Sequence, residues 1–347
     1  GIGNHAYYLA LYLTNHGYGV SVIADQRDFD NTEEIAFDAS LPFVVKRIPL
    51  KRVRLLMYLN RIVKTFRGLK QTDHVIATGK FSLWNVAFCS LFFKRNKMAV
   101  IHGTEVNFKS AGLKKAIDLS LKRFDTIVAV SQYTKTLVAH LKRDVQVIPN
   151  GIDLIKWRAD ELSEVHLKGS PALTTVGRVS SRKGQLEVIK LLPELKKQYP
   201  NIHYHCIGIP TEAEAFLIQA KAMEVESYVT FHGAVDDKTL KESLLSSDVF
   251  VMLSTETSTG DVEGFGIAIL EANALGVSAI GSKGCGIEDA IKDGVSGFLV
   301  EAQDGQAFSK HMSSILNNNE EFRLQAKIWA QQHDWNCIIK QYILHFS

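Results

Sequence analysis

The sequence is poor in cysteine and has no long hydrophobic run. Its 347 residues include four cysteines, and these lie far apart without forming a C-x-x-C pair. This usage favours a reduced, cytosolic protein and argues against a cysteine-based zinc site. No apolar stretch approaches the ~20 residues of a membrane-spanning helix. The longest candidate, residues 81–93, is interrupted by polar side chains. Neither a signal peptide nor a tandem repeat is evident.

The net charge of +3 conceals two halves of opposite sign. Residues 1–150 carry 22 Lys and Arg against 11 Asp and Glu, whereas residues 151–347 carry 18 against 26. Residues 51–70 form a helical pattern with seven Lys and Arg and no acid, in which Leu55, Leu59, Ile62 and Phe66 recur at helical spacing. This segment is either a solvated basic helix face or a surface for anionic lipid headgroups or a lipid-phosphate acceptor. Nucleic acid is not predicted as a partner.

Short apolar runs alternate with helical patterns along both halves of the chain. This alternation predicts an α/β fold with parallel, doubly wound sheets. The polar stretch after Pro149-Asn-Gly marks a domain boundary. We therefore predict an N-terminal domain over residues 1–150 and a C-terminal domain over residues 151–334. Helices are expected, among others, over residues 81–94, 111–123, 132–142 and from Ile287.

Residues 263–271, with the sequence E-G-F-G-I-A-I-L-E, follow an apolar run at 248–253 and open a helical pattern that ends at Gly276. The order is therefore strand, glycine loop and helix. The first N–H groups of such a helix form an anion site, and Gly264 and Gly266 let a ligand approach the backbone closely.

The two carboxylates of this stretch, Glu263 and Glu271, are eight residues apart. On a helix this spacing corresponds to about 10 Å, which suits the two ends of a nucleotide-sugar. Carboxylates accept strong hydrogen bonds from sugar hydroxyls. Spacing alone is more typical of two unrelated glutamates, so the interpretation depends on the rest of the chain.

Other candidate side chains follow predicted strands, where ligands of doubly wound sheets gather. Arg178 and Lys183 follow the strand 172–176 and suit a diphosphate, whereas Arg182 is typical of an ordinary surface cation. His102 ends a strand and precedes a glycine, which favours function over a structural role. Gly208 and Val235 follow the next two strands of the second half.

These motifs in combination resemble those of the family 4 glycosyltransferases, which have the GT-B fold. The similarity covers almost the whole chain and rests on G-I-G-N at 1–4, S-Q-Y-T at 131–134, V-I-P-N-G-I-D at 147–153, G-R-V-S-S-R-K-G at 177–184, E-G-F-G-I-A-I-L-E-A at 263–272 and G-F-L-V at 297–300. The resemblance implies two Rossmann-like doubly wound domains that face a cleft. The first would take the acceptor and the second an NDP-sugar, and residues 335–347 would be a helix that could cross back to the first domain.

The resemblance also implies retaining transfer of a hexosyl unit from a UDP- or GDP-sugar to a hydroxyl of a glycan or a polyprenyl- or lipid-linked acceptor, without a cofactor or metal. Its implied catalytic residues are His102, Glu263, Arg178 and Lys183. Its implied donor-binding residues are Gly1, Gly3, Arg178, Lys183, Gly208, Val235, Glu263, Gly264, Phe265, Gly266 and Glu271.

A role in surface-polysaccharide or glycolipid synthesis predicts a cytoplasmic location. A peripheral position on the inner face of the cell membrane, through the basic N-terminal domain, is a further expectation. The glycine motif at Gly1 lacks a preceding strand, so we expect residues before Gly1 that this chain does not include. Asp261-Val-Glu263 resembles a D-x-E metal motif, but its place before a helix argues against that role.

Three other functions remain as alternatives. The first is an NDP-sugar 2-epimerase of GT-B architecture, against which the basic first domain counts. The second is a non-catalytic nucleotide-sugar-binding protein, which would not need the full set of site residues. An NAD(P) dehydrogenase is weaker, because the first motif lacks a complete G-x-G-x-x-G.

Overall fold

The computed structural model describes residues 1–346, which form two compact units. The N-terminal unit comprises residues 1–130 and 135–148 together with the chain from Trp335 onward, and the C-terminal unit comprises residues 131–134 and 149–334. Within the described residues, no helix is both long enough and apolar enough to cross a membrane.

The strands are short and parallel throughout the described chain. In chain order they are β1 Ser21–Asp25, β2 Val44–Ile48, β3 His74–Thr78, β4 Asn96–Ile101, β5 Thr126–Ala129, β6 Gln146–Val147, β7 Ala172–Val176, β8 His203–Ile207, β9 Val229–Gly233, β10 Val249–Met252, β11 Ala279–Ser282 and β12 Gly297–Val300.

Helices separate most consecutive strands, as parallel pairing requires. They are α1 Ile2–Asn15, α2 Thr32–Ala39, α3 Arg54–Lys70, α4 Lys80–Cys89, α5 Ala111–Leu121, α6 Gln132–Thr136, α7 Gln185–Gln198, α8 Ala213–Ala222, α9 Asp237–Leu245, α10 Ile267–Ala274, α11 Gly305–Asn317, α12 Asn319–Gln332 and α13 Trp335–Ile343.

The N-terminal unit holds two parallel sheets. Strands β1 and β2 pair with each other, and β3 to β6 form a second sheet in chain order. Helices α4 and α5 cover this sheet, and their apolar side chains bury its central strands. Ile101 and Ile127 are fully buried for this reason. Helix α13 returns to this unit and packs against α1.

The C-terminal unit is built on one six-stranded parallel sheet in the order β12-β11-β10-β7-β8-β9. Strand β7 lies at the centre beside β10, and the chain proceeds outward from β7 on one side and from β10 on the other. This is the strand order of a doubly wound dinucleotide-binding fold, and its switch point lies between β7 and β10. The loops after these two strands therefore leave the same edge of the sheet as neighbours.

Four local predictions differ from the structure. The helix expected over residues 81–94 ends at Cys89, because Ser90 caps it and the Ser90 Oγ donates to Ala87 O. Gly3 lies inside α1, which begins at Ile2, so the predicted glycine loop is the first turn of a helix. The helix expected over residues 132–142 stops at Thr136, and a 3-10 turn follows at Ala139–Leu141, which the left-handed Lys142 with φ 51° ends.

The helix expected from Ile287 is a 3-10 turn over Gly286–Asp289. Gly286 N–H donates to the carbonyl of Glu263, outside any helix, and the chain must then reach β12 at Gly297. Beyond the turn, Gly294 has φ +73° and Asp293 forms a bridge with Gly297, so the chain turns back to β12 and does not continue as a helix.

Candidate active site

A cluster of opposite charges lies at the switch point of the C-terminal sheet. Lys183 ends a 3-10 turn in the loop after β7, and Glu263 lies in the loop between β10 and α10. Lys183 Nζ is 2.7 Å from Glu263 Oε2, and Arg182 Nη1 is 2.5 Å from the same oxygen. Arg182 Nε also lies 3.3 Å from Asp261 Oδ2. The ion pairs join the two loops whose proximity the strand order dictates.

The Arg182 position corrects the sequence interpretation, which treated this side chain as an ordinary surface cation. On a 3-10 turn adjacent side chains diverge, yet Arg182 and Lys183 both reach Glu263. The sequence offers one signal for this arrangement. Two adjacent cations, Arg182 and Lys183, are complementary in charge to the carboxylates of Asp261 and Glu263. Both carboxylates of the D-x-E sequence, Asp261 and Glu263, pair with Arg182.

The charge state of Glu263 follows from this environment. Its side chain is only 12% exposed, and burial by itself would raise its pKa. The nearby charges of Lys183 and Arg182, with their hydrogen bonds, outweigh burial and lower the pKa of Glu263 to about 2. Glu263 is therefore a carboxylate at neutral pH, which can accept hydrogen bonds and hold two cations in place.

Close backbone approaches fix the position of Lys183. Its aliphatic stem runs over Gly177, where an added Cβ would lie 3.2 Å from Lys183 Cε. Gly208, a predicted donor-binding residue after β8, contacts Gly177 in turn, and a Cβ there would lie 2.3 Å from the Gly177 carbonyl oxygen. Gly208 N–H donates to Gly233 O at 2.8 Å. The three strand-end loops thus pack backbone against backbone beneath the lysine.

The glycine loop before α10 is held just as tightly. An added Cβ at Gly286 would lie 2.0 Å from the Gly264 carbonyl oxygen, and Phe265 is only 1% exposed. Gly266 is the N-cap of α10 with φ +90°, and in the described structure no side chain caps this helix. An uncapped N-terminus beside a close-packed glycine loop suits an anionic group of a ligand.

Glu271 lies in the second turn of α10, as the sequence predicted. Burial raises the pKa of Glu271 to about 7, although the charges of Lys156 and Lys183 pull it in the opposite direction. A carboxyl with this pKa is partly ionised at neutral pH, and a hydroxyl donor or a cation of a ligand would favour the ionised form.

Two other predicted residues of this unit, Arg178 and Val235, lie in loops that follow its strands. Arg178 is exposed in the loop after β7, and its backbone carbonyl accepts a hydrogen bond of 3.1 Å from Gln185 Nε2. Val235 is partly buried in the loop between β9 and α9. An exposed guanidinium at the end of the central strand is free of the Glu263 pairings and suits a phosphate oxygen.

A cavity of about 340 Å³ opens at the ends of β10, β11 and β12. Its lining includes Ser254, Glu256, Lys283 and Glu301. Two carboxylates, an ammonium group and a hydroxyl are suited to a polar, hydroxyl-bearing ligand.

The predicted residues Gly1, Gly3 and His102 belong to the N-terminal unit. His102 follows β4, and its Nε2 shares a hydrogen bond of 2.9 Å with Thr78 Oγ1. The backbone N–H of His102 donates to Glu105 Oε1 at 2.6 Å. Gly3 is exposed, and an added Cβ at Gly1 or Gly3 would meet nothing within 4 Å.

His5 is a residue of this unit whose importance the sequence did not reveal. Its ring lies 4.8 Å from the ring of His102, stacks on Trp335 and shares a hydrogen bond of 3.2 Å with the Tyr342 hydroxyl. Burial lowers the pKa of His5 to about 3, and burial also lowers the pKa of His102 well below its usual value. Both imidazoles are therefore neutral at physiological pH.

Comparison with known protein families assigns both halves of the chain. The model of glycosyl transferases group 1 matches residues 159–333, and the model of glycosyltransferase family 4 matches residues 1–156. The chain therefore belongs to the group 1, family 4 glycosyltransferases, which confirms the resemblance inferred from its motifs.

Two mycobacterial proteins are among the curated relatives. The GDP-mannose-dependent alpha-(1-6)-phosphatidylinositol monomannoside mannosyltransferase of Mycolicibacterium smegmatis is 26% identical over 236 residues, covering 64% of this chain and 61% of that protein. The phosphatidyl-myo-inositol mannosyltransferase of the same organism is 25% identical over 205 residues, covering 58% and 51%. The chain thus spans about three fifths or less of the length of these relatives.

A solved structure with a similar fold is that of Anabaena HepE in complex with UDP and glucose. It has a TM-score of 0.78 at 18% identity and covers 99% of this chain and 95% of that one. At this level of identity the likeness concerns the fold, and it confirms the predicted α/β GT-B architecture.

Proposed function

We propose that this protein is a retaining glycosyltransferase that moves a hexosyl unit from an NDP-sugar to a hydroxyl of a glycan or lipid-linked acceptor. The observation that carries the proposal is the cluster of Lys183, Arg182 and Glu263 at the switch point beside the uncapped start of α10. The cations and the free N–H groups of the helix can bind a diphosphate, and the buried carboxylate can accept hydrogen bonds from sugar hydroxyls.

In the proposed reaction the bond between sugar C1 and the diphosphate oxygen breaks, and its electron pair leaves with the diphosphate. The acceptor hydroxyl oxygen bonds to C1 on the same face, and its proton passes to the departing phosphate. Lys183 and Arg178 stabilise the negative charge that develops on the leaving group, and Lys183 needs no reorganisation because Glu263 and Gly177 already hold it in place. These cations supply the required charge without a metal.

The donor is proposed to lie along α10. Glu263 would accept hydrogen bonds from the sugar hydroxyls and Glu271 from the ribose hydroxyls, with the backbone of Gly264, Phe265 and Gly266 between them. The catalytic role that the family resemblance implies for His102 stays a prediction, and burial lowers the pKa of this residue, so its imidazole is neutral. The names of the relatives support GDP-mannose and a glycolipid acceptor, and the HepE complex supports a UDP-sugar.

The test begins with the nucleotides UDP and GDP and their glucose and mannose conjugates in a thermal-shift panel. A ligand present at about 100 times its dissociation constant should stabilise the protein by ~2.7 kcal/mol. The responding donor is then incubated with lipid-linked and free glycan acceptors, and the products are identified by mass spectrometry and by the anomeric signals in NMR spectra.

Two variants test the site against a matched control. Lys183→Met and Glu271→Gln should each weaken donor binding and lower transfer about a hundredfold or more. Lys190→Met removes an exposed cation of α7 and should leave both unchanged. Wild-type transfer in both site variants would refute the assignment. A donor epimer without transfer would instead identify a 2-epimerase, and activity lost with a chelator would contradict metal-free chemistry.

A further inference from the structure

Helix α3 of the N-terminal unit turns an apolar face toward solvent. Five of its side chains on this face are between 36% and 65% exposed: Leu55, Leu56, Leu59, Val63 and Phe66. They recur at the spacing of one helical stripe. An ordinary surface helix buries such a stripe, whereas α3 leaves this one exposed.

The opposite face of α3 explains why the helix does not rotate to bury its leucines. Arg61 and Thr65 are buried there, at 8% and 9% exposure. Arg61 Nε and Nη2 donate to the two carboxylate oxygens of Asp25, at the end of β1, over 2.9 and 2.6 Å. The guanidinium also lies 4.4 Å from the centre of the Phe81 ring. A bidentate pair and a stacked ring fix the rotation of the helix.

The apolar face continues beyond α3. The Phe66 ring lies 5.8 Å from that of Phe92, and Phe92 lies 6.3 Å from Phe88 at the end of α4. Phe88, Leu91 and Phe92 are all more than half exposed. We name this patch the α3–α4 apolar surface, which comprises Leu55, Leu56, Leu59, Val63, Phe66, Phe88, Leu91 and Phe92. A contiguous exposed patch of this kind marks an interaction site.

The charges around the patch identify its partner. Residues 49–104 contain eleven Lys and Arg and a single acid, Asp73. Exposed cations flank the α3–α4 apolar surface at Lys51, Arg52, Arg54, Arg67, Lys70 and Lys94. A second copy of the chain would bring two strongly basic surfaces together, which is unfavourable. An anionic lipid surface provides both negative headgroups and an apolar layer beneath them.

We propose that the α3–α4 apolar surface inserts into the interfacial layer of an anionic membrane while the surrounding cations bind lipid headgroups. Helix α3 would lie parallel to the membrane plane, held in this rotation by the pair of Arg61 with Asp25. This inference deepens the lipid-linked acceptor of the proposed function by naming the surface that meets the lipid. The lipid-linked acceptor rests on the proposed function, whereas the membrane surface itself lies in the N-terminal unit. Vesicle binding and donor binding are therefore measured separately.

The experiment measures co-sedimentation of the full chain with vesicles of phosphatidylcholine alone and of phosphatidylcholine with about 30% phosphatidylglycerol, at low and high salt. We expect binding to the anionic vesicles that high salt weakens. Leu59→Gln/Phe92→Gln should lower partitioning roughly tenfold to a hundredfold through lost apolar burial. Arg67→Gln/Lys70→Gln should lower it by about fivefold per cation and reduce the salt dependence.

A matched control removes exposed apolar side chains elsewhere. Ile218 and Leu324 lie in the C-terminal unit at 63% and 57% exposure, and Ile218→Gln/Leu324→Gln should bind vesicles like the wild type. Circular dichroism verifies that the variants fold. Hydrogen exchange on vesicles should slow in peptides covering residues 55–66 and 88–92.

Three outcomes would overturn the inference. The first is equal binding to neutral and anionic vesicles, and the second is wild-type partitioning by Leu59→Gln/Phe92→Gln. The third is a dimer in light scattering that this same variant abolishes, which would assign the surface to a second copy. Vesicle binding without any donor binding would refute the proposed function and leave the surface assignment intact.

Discussion

Replacing Lys183 by Met tests whether the buried ion-pair cluster stabilises the C-terminal unit. Lys183 and Glu263 side chains are 14% and 12% exposed, and their charged atoms are 2.7 Å apart. Methionine keeps a flexible apolar stem over Gly177 and removes only the ammonium group. Glu263 then retains Arg182 as its remaining cationic partner.

The magnitude follows from the pKa of Glu263. The structure lowers it from 4.5 to about 2, a change of about 2.5 units, which corresponds to ~3 kcal/mol of stability. Two cations share this effect, and loss of one leaves a buried carboxylate incompletely paired. We expect Lys183→Met to destabilise the unit by about 2 kcal/mol at neutral pH.

The pH dependence provides a second criterion. A depressed carboxyl pKa stabilises the folded state above the unfolded pKa of 4.5, and this contribution is lost as the pH falls through the folded value of about 2. The difference between wild type and Lys183→Met should therefore shrink between these two pH values. A difference that stays constant over this range would contradict the ion-pair explanation.

Amide hydrogen exchange of peptides from α7 and α10 is the suitable assay, because it reports on the C-terminal unit alone. Lys190→Met is the matched control on α7. Lys190 pairs with Glu187 at 2.8 Å, but Lys190 is 46% exposed, so its loss should cost at most about 0.5 kcal/mol. If the two variants were equally stable, the cluster would contribute no more than a surface pair.

Two further predictions concern stability. Gly184→Ala should cost more than about 3 kcal/mol, since φ is +77° and the new Cβ would lie 1.9 Å from Leu253 O. Gly294→Ala, with φ +73° and open space, should cost about 1 kcal/mol, and similar melting temperatures for both would refute the steric argument. Burial raises the Glu105 pKa from 4.5 to about 7, so its contribution to stability falls as pH rises through this range. Glu105→Gln should remove ~3 kcal/mol of that fall, and melting temperatures recorded across this pH range that fall as steeply as those of the wild type would contradict the burial argument.

Much of the C-terminal site could be predicted because it depends on local order along the chain. A strand, a glycine loop and a helix in succession put Glu263 before α10 and Glu271 in its second turn. Alternating strands and helices predict the parallel sheet, and a doubly wound sheet brings its strand-end loops together. The position of Lys183 in a strand-end loop of the candidate site was therefore predictable without knowledge of its contacts.

The partners of these side chains were harder to predict. Arg182 differs from an ordinary surface cation only through Glu263 and Asp261, about eighty residues later in the chain. His5 becomes a neighbour of His102 only when α1, β4 and α13 pack together. Neither contact leaves a periodic pattern in the sequence, because each joins single residues of segments that lie far apart along the chain.

Helix α3 shows most clearly where the sequence and the tertiary structure divide. The sequence alone determined that residues 54–70 form a basic amphipathic helix, since spacing and composition are local properties. It did not determine which face would be exposed. That was decided by Asp25 on β1, whose carboxylate holds Arg61 inward and so leaves Leu59 and Phe66 in solvent. Hydrophobic periodicity defines the stripe on a helix, but an ion pair between a buried arginine and a distant aspartate defines the direction in which the stripe points.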